Sequence, residues 1–239
     1  MFQSNVTPFG LDNGRVTLNN YIKTLTFTNN ERVFYCTDIH GCYSLLESHL
    51  LDVGFSSSDT LIVGGDSIDR GLDSNLALEW LDKPNVHLIK ANHEELFIKS
   101  FEEGWQGRYT DCFISNGGYW VASLGADERR EFYDFFTSLP TAIKLELNKE
   151  TVGIVHADCG NDWEQFEYEI ASGCVEAYQE AIWSRTRYNE KDKTVVSGVD
   201  RVLVGHTPTD SGCVEVLGNV HYCDIGAVYL GKLAFIQLQ

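Results

Sequence analysis

The chain has 239 residues, 43% of them hydrophobic, which suits one large globular domain with a full core and excludes a disordered chain. Thirty-five acidic against eighteen basic residues give a net charge of −17, a field that repels nucleic-acid backbones and offers them no basic footprint. No apolar run approaches the roughly 20 residues a membrane helix needs, and the opening MFQSNVTPFG has no basic-then-apolar leader, so the chain reads as soluble and cytoplasmic.

Residues 1–32 are polar, with a turn expected at Asn13-Gly14, and read as an N-terminal extension without an assigned role, able to form a hairpin on a sheet edge. From Val33 to Gln239 a single catalytic domain is expected. VFYCT (33–37), TLIVGG (60–65) and VHLIK (86–90) are short β-branched apolar runs that predict buried strands. Helical patterns follow them around Tyr43–Val53, Asp73–Leu81 and Glu94–Glu103, and a fourth over Asp127–Ser138 should stop at Leu139-Pro140. The second half predicts strands at 141–147, 151–157, 201–205, 220–225 and 232–238, with one helix near Val175–Trp183. A βαβαβ start followed by several strands predicts an α/β fold, sheets covered by helices.

Each of five strands runs into a polar cluster: Thr37-Asp38-Ile39-His40-Gly41, Gly65-Asp66-Ser67-Ile68-Asp69-Arg70-Gly71, Lys90-Ala91-Asn92-His93-Glu94, His156-Ala157-Asp158 and Gly205-His206-Thr207. Ligands in α/β sheets sit beyond the carboxyl ends of strands, so the five clusters can converge on one crevice. Asp38, His40, Asp66, Asn92, His156 and His206 form a mixed oxygen and nitrogen set suited to Mn²⁺, Fe²⁺ or Zn²⁺, and its lack of Cys argues against structural zinc. Asp38 and His40, two apart, should point the same way on an extended strand end. Six ligands exceed one open tetrahedral site but suit two metals sharing a carboxylate and holding a deprotonated water between them.

The motifs Asp-x-His-Gly, Gly-Asp-x-x-Asp-Arg-Gly, Asn-His-Glu, a lone strand-end His and Gly-His-Thr resemble those of the phosphoprotein phosphatases, within the calcineurin-like metallophosphoesterase superfamily. The small bacterial and phage branch is the most similar, also through Asn116-Gly117-Gly118, Ile182-Trp183-Ser184-Arg185 and Asp224-Ile225-Gly226-Ala227-Val228. The resemblance implies a central β-sandwich of mixed sheets flanked by helices. It implies a first metal held by Asp38, His40 and Asp66, and a second held by the bridging Asp66 with Asn92, His156 and His206. It makes His93 the general acid, oriented by Asp69, and gives the phosphate to Arg70 and Arg185, with Arg187 a competitor two residues on. Two positions depart from the family: Thr37 stands where most relatives have Gly, and Lys90-Ala91 where they have Arg-Gly. Lys90 would then serve the phosphate as a point charge in place of a bidentate fork.

Other features read as structural. His49, His87 and His221 lie inside predicted elements, and Trp105, Tyr109, Phe113, Tyr119 and Trp120 suit core and lid packing. The seven Cys are odd in number and scattered, as reduced thiols would be. Cys36 and Cys42 flank the first motif, but no Cys is followed six residues later by Arg, so a thiol-phosphatase loop is excluded. The expected activity is hydrolysis of phosphoserine or phosphothreonine, with phosphotyrosine left open as a further substrate, by a hydroxide on two divalent metals, Mn²⁺ foremost, attacking phosphorus directly. A diadenosine tetraphosphatase-like or other nucleotide phosphoesterase is the alternative, and a non-catalytic phosphate-binding module a third. The expected partner is a phosphorylated protein or peptide, with no nucleic acid and no membrane, the chain being a monomer.

Overall fold

Strand β2 (Val33–Cys36) shows why the apolar runs are continuous: both of its faces are covered. Val33 and Tyr35 turn towards a second sheet, whereas Phe34 and Cys36 turn towards helices, as the two-residue period of a strand requires. The computed structural model describes residues 21–28 and 31–239. Among them, β10 (Ile236–Gln237), β2, β3 (Thr60–Val63) and β4 (Val86–Leu88) form a four-stranded sheet in that order, parallel except for β10. A six-stranded mixed sheet runs β1 (Ile22–Thr26), β5 (Ala142–Glu146), β6 (Thr151–Val155), β7 (Arg201–Val204), β9 (Val220–Tyr222), β8 (Glu215–Leu217).

The sheets pack face to face. Tyr35, Ile62 and Ile89 of one meet Ile143, Leu145, Val152, Ile154 and Leu203 of the other. Outside the smaller sheet lie α1 (Tyr43–Asp52), α2 (Ala77–Leu81), α3 (Asn92–Glu102), α4 (Arg108–Ser115) and α5 (Ala126–Ser138). They bury Leu46, Leu81, Phe97, Phe113 and Phe136 with Phe34, Leu61 and Val63. Outside the larger sheet, α6 (Trp163–Ser172), α7 (Val175–Trp183) and α8 (Thr186–Glu190) bury Trp163, Phe166, Tyr178 and Ile182 against Val155, Val202 and Val204. A short α9 (Ala227–Leu230) follows β9. This is the expected α/β sandwich of mixed sheets flanked by helices.

Most expected elements are present with shorter ends, and some are not as expected. The 232–238 run yields only Ile236–Gln237 as strand, and α4, α6, α8 and β8 are additional. The larger sheet begins at Ile22, ahead of Val33, because β1 pairs parallel to β5 through residues 22–26 and 142–146. The turn at Asn13-Gly14 lies outside the described residues. Among the described residues no helix is long and apolar enough to cross a membrane.

Candidate active site

Chain direction sets the site. Strands β2, β3 and β4 are parallel, as are β6 and β7, so their carboxyl ends deliver the five polar clusters to one side of the sandwich. The backbone there is unusual. Of eight described non-glycine residues with positive φ, six are Asp38, His40, Asp66, Asp69, Arg70 and His206. Such conformations cost roughly 1–3 kcal/mol each and collect at functional sites. Asp38 (φ 52°) and His40 (φ 46°) therefore do not sit on an extended strand end as their spacing suggested. They reach the same cluster through a left-handed turn, whose backbone is tied by bonds from Asp38 N–H to the Gly65 carbonyl and from His40 N–H to the Asp66 carbonyl.

Asp66 is the hub. One of its oxygens, Oδ2, lies 3.5 Å from His40 Nε2, 3.4 Å from His156 Nε2 and 3.8 Å from His93 Nε2. Two overlapping groups share it, His40–Asp66–His93 and Asp66–His156–His206, with ligand atoms within 4.8 Å of one another in each. Asn92 Oδ1 is 3.0 Å from both His156 Nε2 and His206 Nδ1. Asp38 joins them by accepting the His206 backbone N–H at 3.0 Å. A methyl added at Gly205 would overlap the Asp38 carboxylate, so only glycine lets β7 end this close.

The imidazoles are oriented as metal ligands would be. His40 Nδ1–H donates to the Ile68 carbonyl at 2.8 Å and His156 Nδ1–H to the Gly64 carbonyl at 2.8 Å, which turns both Nε2 lone pairs inward. His206 is reversed, with Nε2 at 3.1 Å from the Trp183 carbonyl and Nδ1 inward. Burial raises the Asp38 pKa well above the carboxylate range, and the charges of Asp224 and Asp66 push the same way. Burial also opposes a charged His156, but Asp66, Asp38 and the Gly64 carbonyl outweigh it and raise its pKa to about 9. His40 falls well below its usual value through burial, then the repulsion of His93; His206 falls likewise through burial and His156. Buried carboxylates drawing a proton onto a histidine are carboxylates in want of a cation, and hard oxygens with imidazole nitrogens fit a divalent one.

Around this hub sit the remaining expected residues. His93 Nδ1 is 2.6 Å from Asp69 Oδ2, both side chains wholly buried. The Arg70 guanidinium spans the opening, 2.6 Å from His40 Nε2 and 2.9 Å from His93 Nε2. Arg185 is exposed and lies over His206, its Nε 3.2 Å from Nε2. Arg187 is instead consumed by the scaffold: it donates to Asp158, the Gly160 and Thr194 carbonyls and Asn161 Oδ1, and is buried. Lys90 is not brought to the cluster. It is buried, burial lowers its pKa, and its charged neighbours are Glu95, Lys99 and Glu102 of α3. Ile89, just past the end of β4, faces the opposite sheet.

Three supporting groups were missed at the sequence level. The Glu94 carboxylate accepts from the backbone N–H groups of Asp66 (3.1 Å), Ser67 (2.8 Å) and Ala91 (3.1 Å) and from the Ser67 hydroxyl (2.7 Å). Its place three residues after Ala91, at the start of α3, was the available signal, being that of a capping-box Glu. Thr37 donates to Asp38 Oδ2 at 2.7 Å, so the hydroxyl at this departure from the family serves the cluster. Trp120 Nε1–H donates to Asp69 Oδ1 at 2.6 Å, for which the sequence holds no local sign. The thiols of Cys36 and Cys42 are both pushed up by burial, which leaves them protonated and poor nucleophiles.

The sequence pattern of the family described as "Calcineurin-like phosphoesterase" matches residues 31–235. Serine/threonine-protein phosphatase 1 of Salmonella typhimurium (strain LT2) is 30% identical over 215 residues, 88% of this chain and 94% of that one. Serine/threonine-protein phosphatase 2 of Escherichia coli (strain K12) is 31% identical over 209 residues, 84% of this chain and 90% of the other. Among solved structures, a putative diadenosine tetraphosphatase superposes with a TM-score of 0.62 at 20% identity, covering 92% and 94% of the two chains. A cold-active protein-tyrosine phosphatase of a psychrophilic Shewanella gives 0.52 at 18% identity, covering 90% and 77%. At those identities the structures speak for the fold alone.

Proposed function

Because the chain belongs to the calcineurin-like phosphoesterase family, we propose that it is a metal-dependent phosphomonoesterase acting on phosphoserine and phosphothreonine in proteins. The observation that carries the reading is the convergence of Asp38, His40, Asp66, Asn92, His156 and His206, all buried and all within one hydrogen-bonded cluster. The choice of protein substrates is supported by the two bacterial relatives, whose names state that activity.

Asp38, His40 and Asp66 would hold one divalent cation, and Asp66, Asn92, His156 and His206 a second, Mn²⁺ being the expected ion. Bound cations supply Lewis-acid polarisation of phosphoryl oxygens and acidify water near neutral pH. The protein's own groups do the rest. Arg70 and Arg185 present planar charged donors at the opening and would bind and orient the non-bridging phosphate oxygens. His93 is held through Nδ1–H by Asp69, and its Nε2, which Arg70 faces at 2.9 Å, would give a proton to the departing alkoxide once Arg70 turns to the phosphate. Glu94 fixes the backbone of Asp66 and Ser67, and so the hub itself. The burial of Asp66, Asp69, His93 and Glu94 keeps bulk water from screening them.

The test is a rate comparison with added Mn²⁺ between a phosphoserine peptide and diadenosine tetraphosphate, before and after chelation. The expected outcome is faster turnover of the peptide, abolished by chelator and restored by metal. Preference for the dinucleotide would replace protein substrates with nucleotides, and chelator-insensitive turnover would remove the metal site.

A further inference from the structure

Trp120 was expected only to fill space, and its ring does so: it stacks on Phe97 at 5.9 Å and meets Phe132 edge-on at 5.1 Å. Phenylalanine would do the same. What phenylalanine lacks is the indole N–H, and that group donates to Asp69 Oδ1 at 2.6 Å while Asp69 Oδ2 faces His93 Nδ1 at 2.6 Å. Both carboxylate oxygens are thus engaged, each by one ring nitrogen. A carboxylate held at one oxygen alone can swing about its broad terminal torsion; held at both, it has one plane.

The turn that carries Trp120 is itself fixed to the site. It follows Gly117, whose φ of 102° is reserved for glycine, and a Cβ there would meet Arg70 N at 2.5 Å. The Gly117 carbonyl accepts from Arg70 N–H at 3.4 Å. Asp69 is pinned from the other side too, its backbone N–H donating to Ser74 Oγ at 2.9 Å.

We propose that Trp120 is a positioning residue of the hydrolysis: its indole N–H fixes the plane of the Asp69 carboxylate, which in turn holds His93 with Nε2 aimed at the leaving oxygen. The proposal rests on reading His93 and Asp69 as the proton-donating pair. Trp120→Phe keeps the stacking and removes the donor. On a phosphoserine peptide it should lower kcat about tenfold with KM little changed, the worth of one charge-assisted hydrogen bond. On an aryl phosphate with an acidic phenol, which needs no proton donor, the loss should stay under about twofold. Combined with Asp69→Asn it should add nothing to the loss from Asp69→Asn alone. Equal losses on both substrates, or additive losses in the double variant, would overturn the proposal. Running His93→Asn beside it separates the two ideas. If His93→Asn spares the aryl phosphate and Trp120→Phe does not, only the role of Trp120 falls; if His93→Asn harms both alike, the proton-donor reading falls and takes the proposal with it. Should Trp120→Phe not fold, the indole N–H spectrum of the unsubstituted protein and Asp69→Ala decides: one of five indole signals should move upfield, and no movement refutes the bond.

Discussion

Replacing Glu94 by Gln changes a single atom and should disturb the hub more than its size implies. The side chain is wholly buried and its two oxygens accept from four donors, two at each. An amide must present its NH2 to one of those pairs. On the Ser67 side the hydroxyl can turn and accept, leaving one orphaned backbone N–H; on the other side both Asp66 and Ala91 N–H are orphaned. A buried donor without a partner costs about 1–3 kcal/mol, and the surviving bonds lose their charge assistance. Relief partly offsets this, because burial and the Asp66 charge already push the Glu94 pKa up. A net loss of about 2–3 kcal/mol follows, which for a domain of this size lowers Tm by roughly 5–10 °C. Thermal unfolding of the chelated protein measures it, and metal content after reloading should fall as well, since the displaced backbone carries Asp66. A Tm within about 1 °C of the parent, with full metal content, would show that Glu94 does not hold the hub.

Asp66→Asn should reduce bound metal, measured by elemental analysis, more than replacement of any other ligand, since Asp66 alone belongs to both ligand groups; retention of two ions per chain would refute its bridging position. Arg70→Ala should lower kcat/KM at least about tenfold with metal content unchanged, whereas Lys90→Met, beside Glu95 and away from the cluster, should leave kcat/KM within about twofold; the reverse ranking would return Lys90 to the phosphate. The Asp59 pKa is lowered, chiefly by the hydrogen bond from Arg32, the Ser56 donors adding to it. A depressed carboxylate stabilises the fold above its unfolded value of about 3.9 and loses that contribution as pH falls through the folded value. The Tm difference between the parent and Asp59→Asn should therefore be full at pH 6 and shrink below about pH 4; a constant difference would refute the linkage.

The site was more legible than the frame around it. Five polar clusters each followed an apolar run, and their convergence and sheets covered by helices could be read from that order, whereas the sandwich was implied by the family resemblance. The missing elements lacked such runs. Strand β1 is IKTLT, a half-exposed edge whose residues alternate weakly, and α4 is RYTDCFIS, whose Thr, Cys and Ser are poor helix formers. For Lys90 the motif alone pointed to the phosphate, while its charged neighbours in the structure are Glu95, Lys99 and Glu102 of α3, a setting no local pattern announced. Trp120 could not have been found at all, since 51 positions separate it from Asp69 and only packing unites them.

The left-handed residues of the site bear on how this protein can be engineered. Six positions at roughly 1–3 kcal/mol each add up to an amount comparable with the whole stability of a typical domain, about 5–15 kcal/mol. Asp, Asn and His tolerate that backbone better than other side chains, so at five of the six positions, Arg70 being the exception, the chemistry and the conformation select from one short alphabet. A selection for thermostability alone would favour glycine at Asp38, Asp69 or Arg70, where the strain is released, and the hardiest variants it returned would be those that had abandoned catalysis.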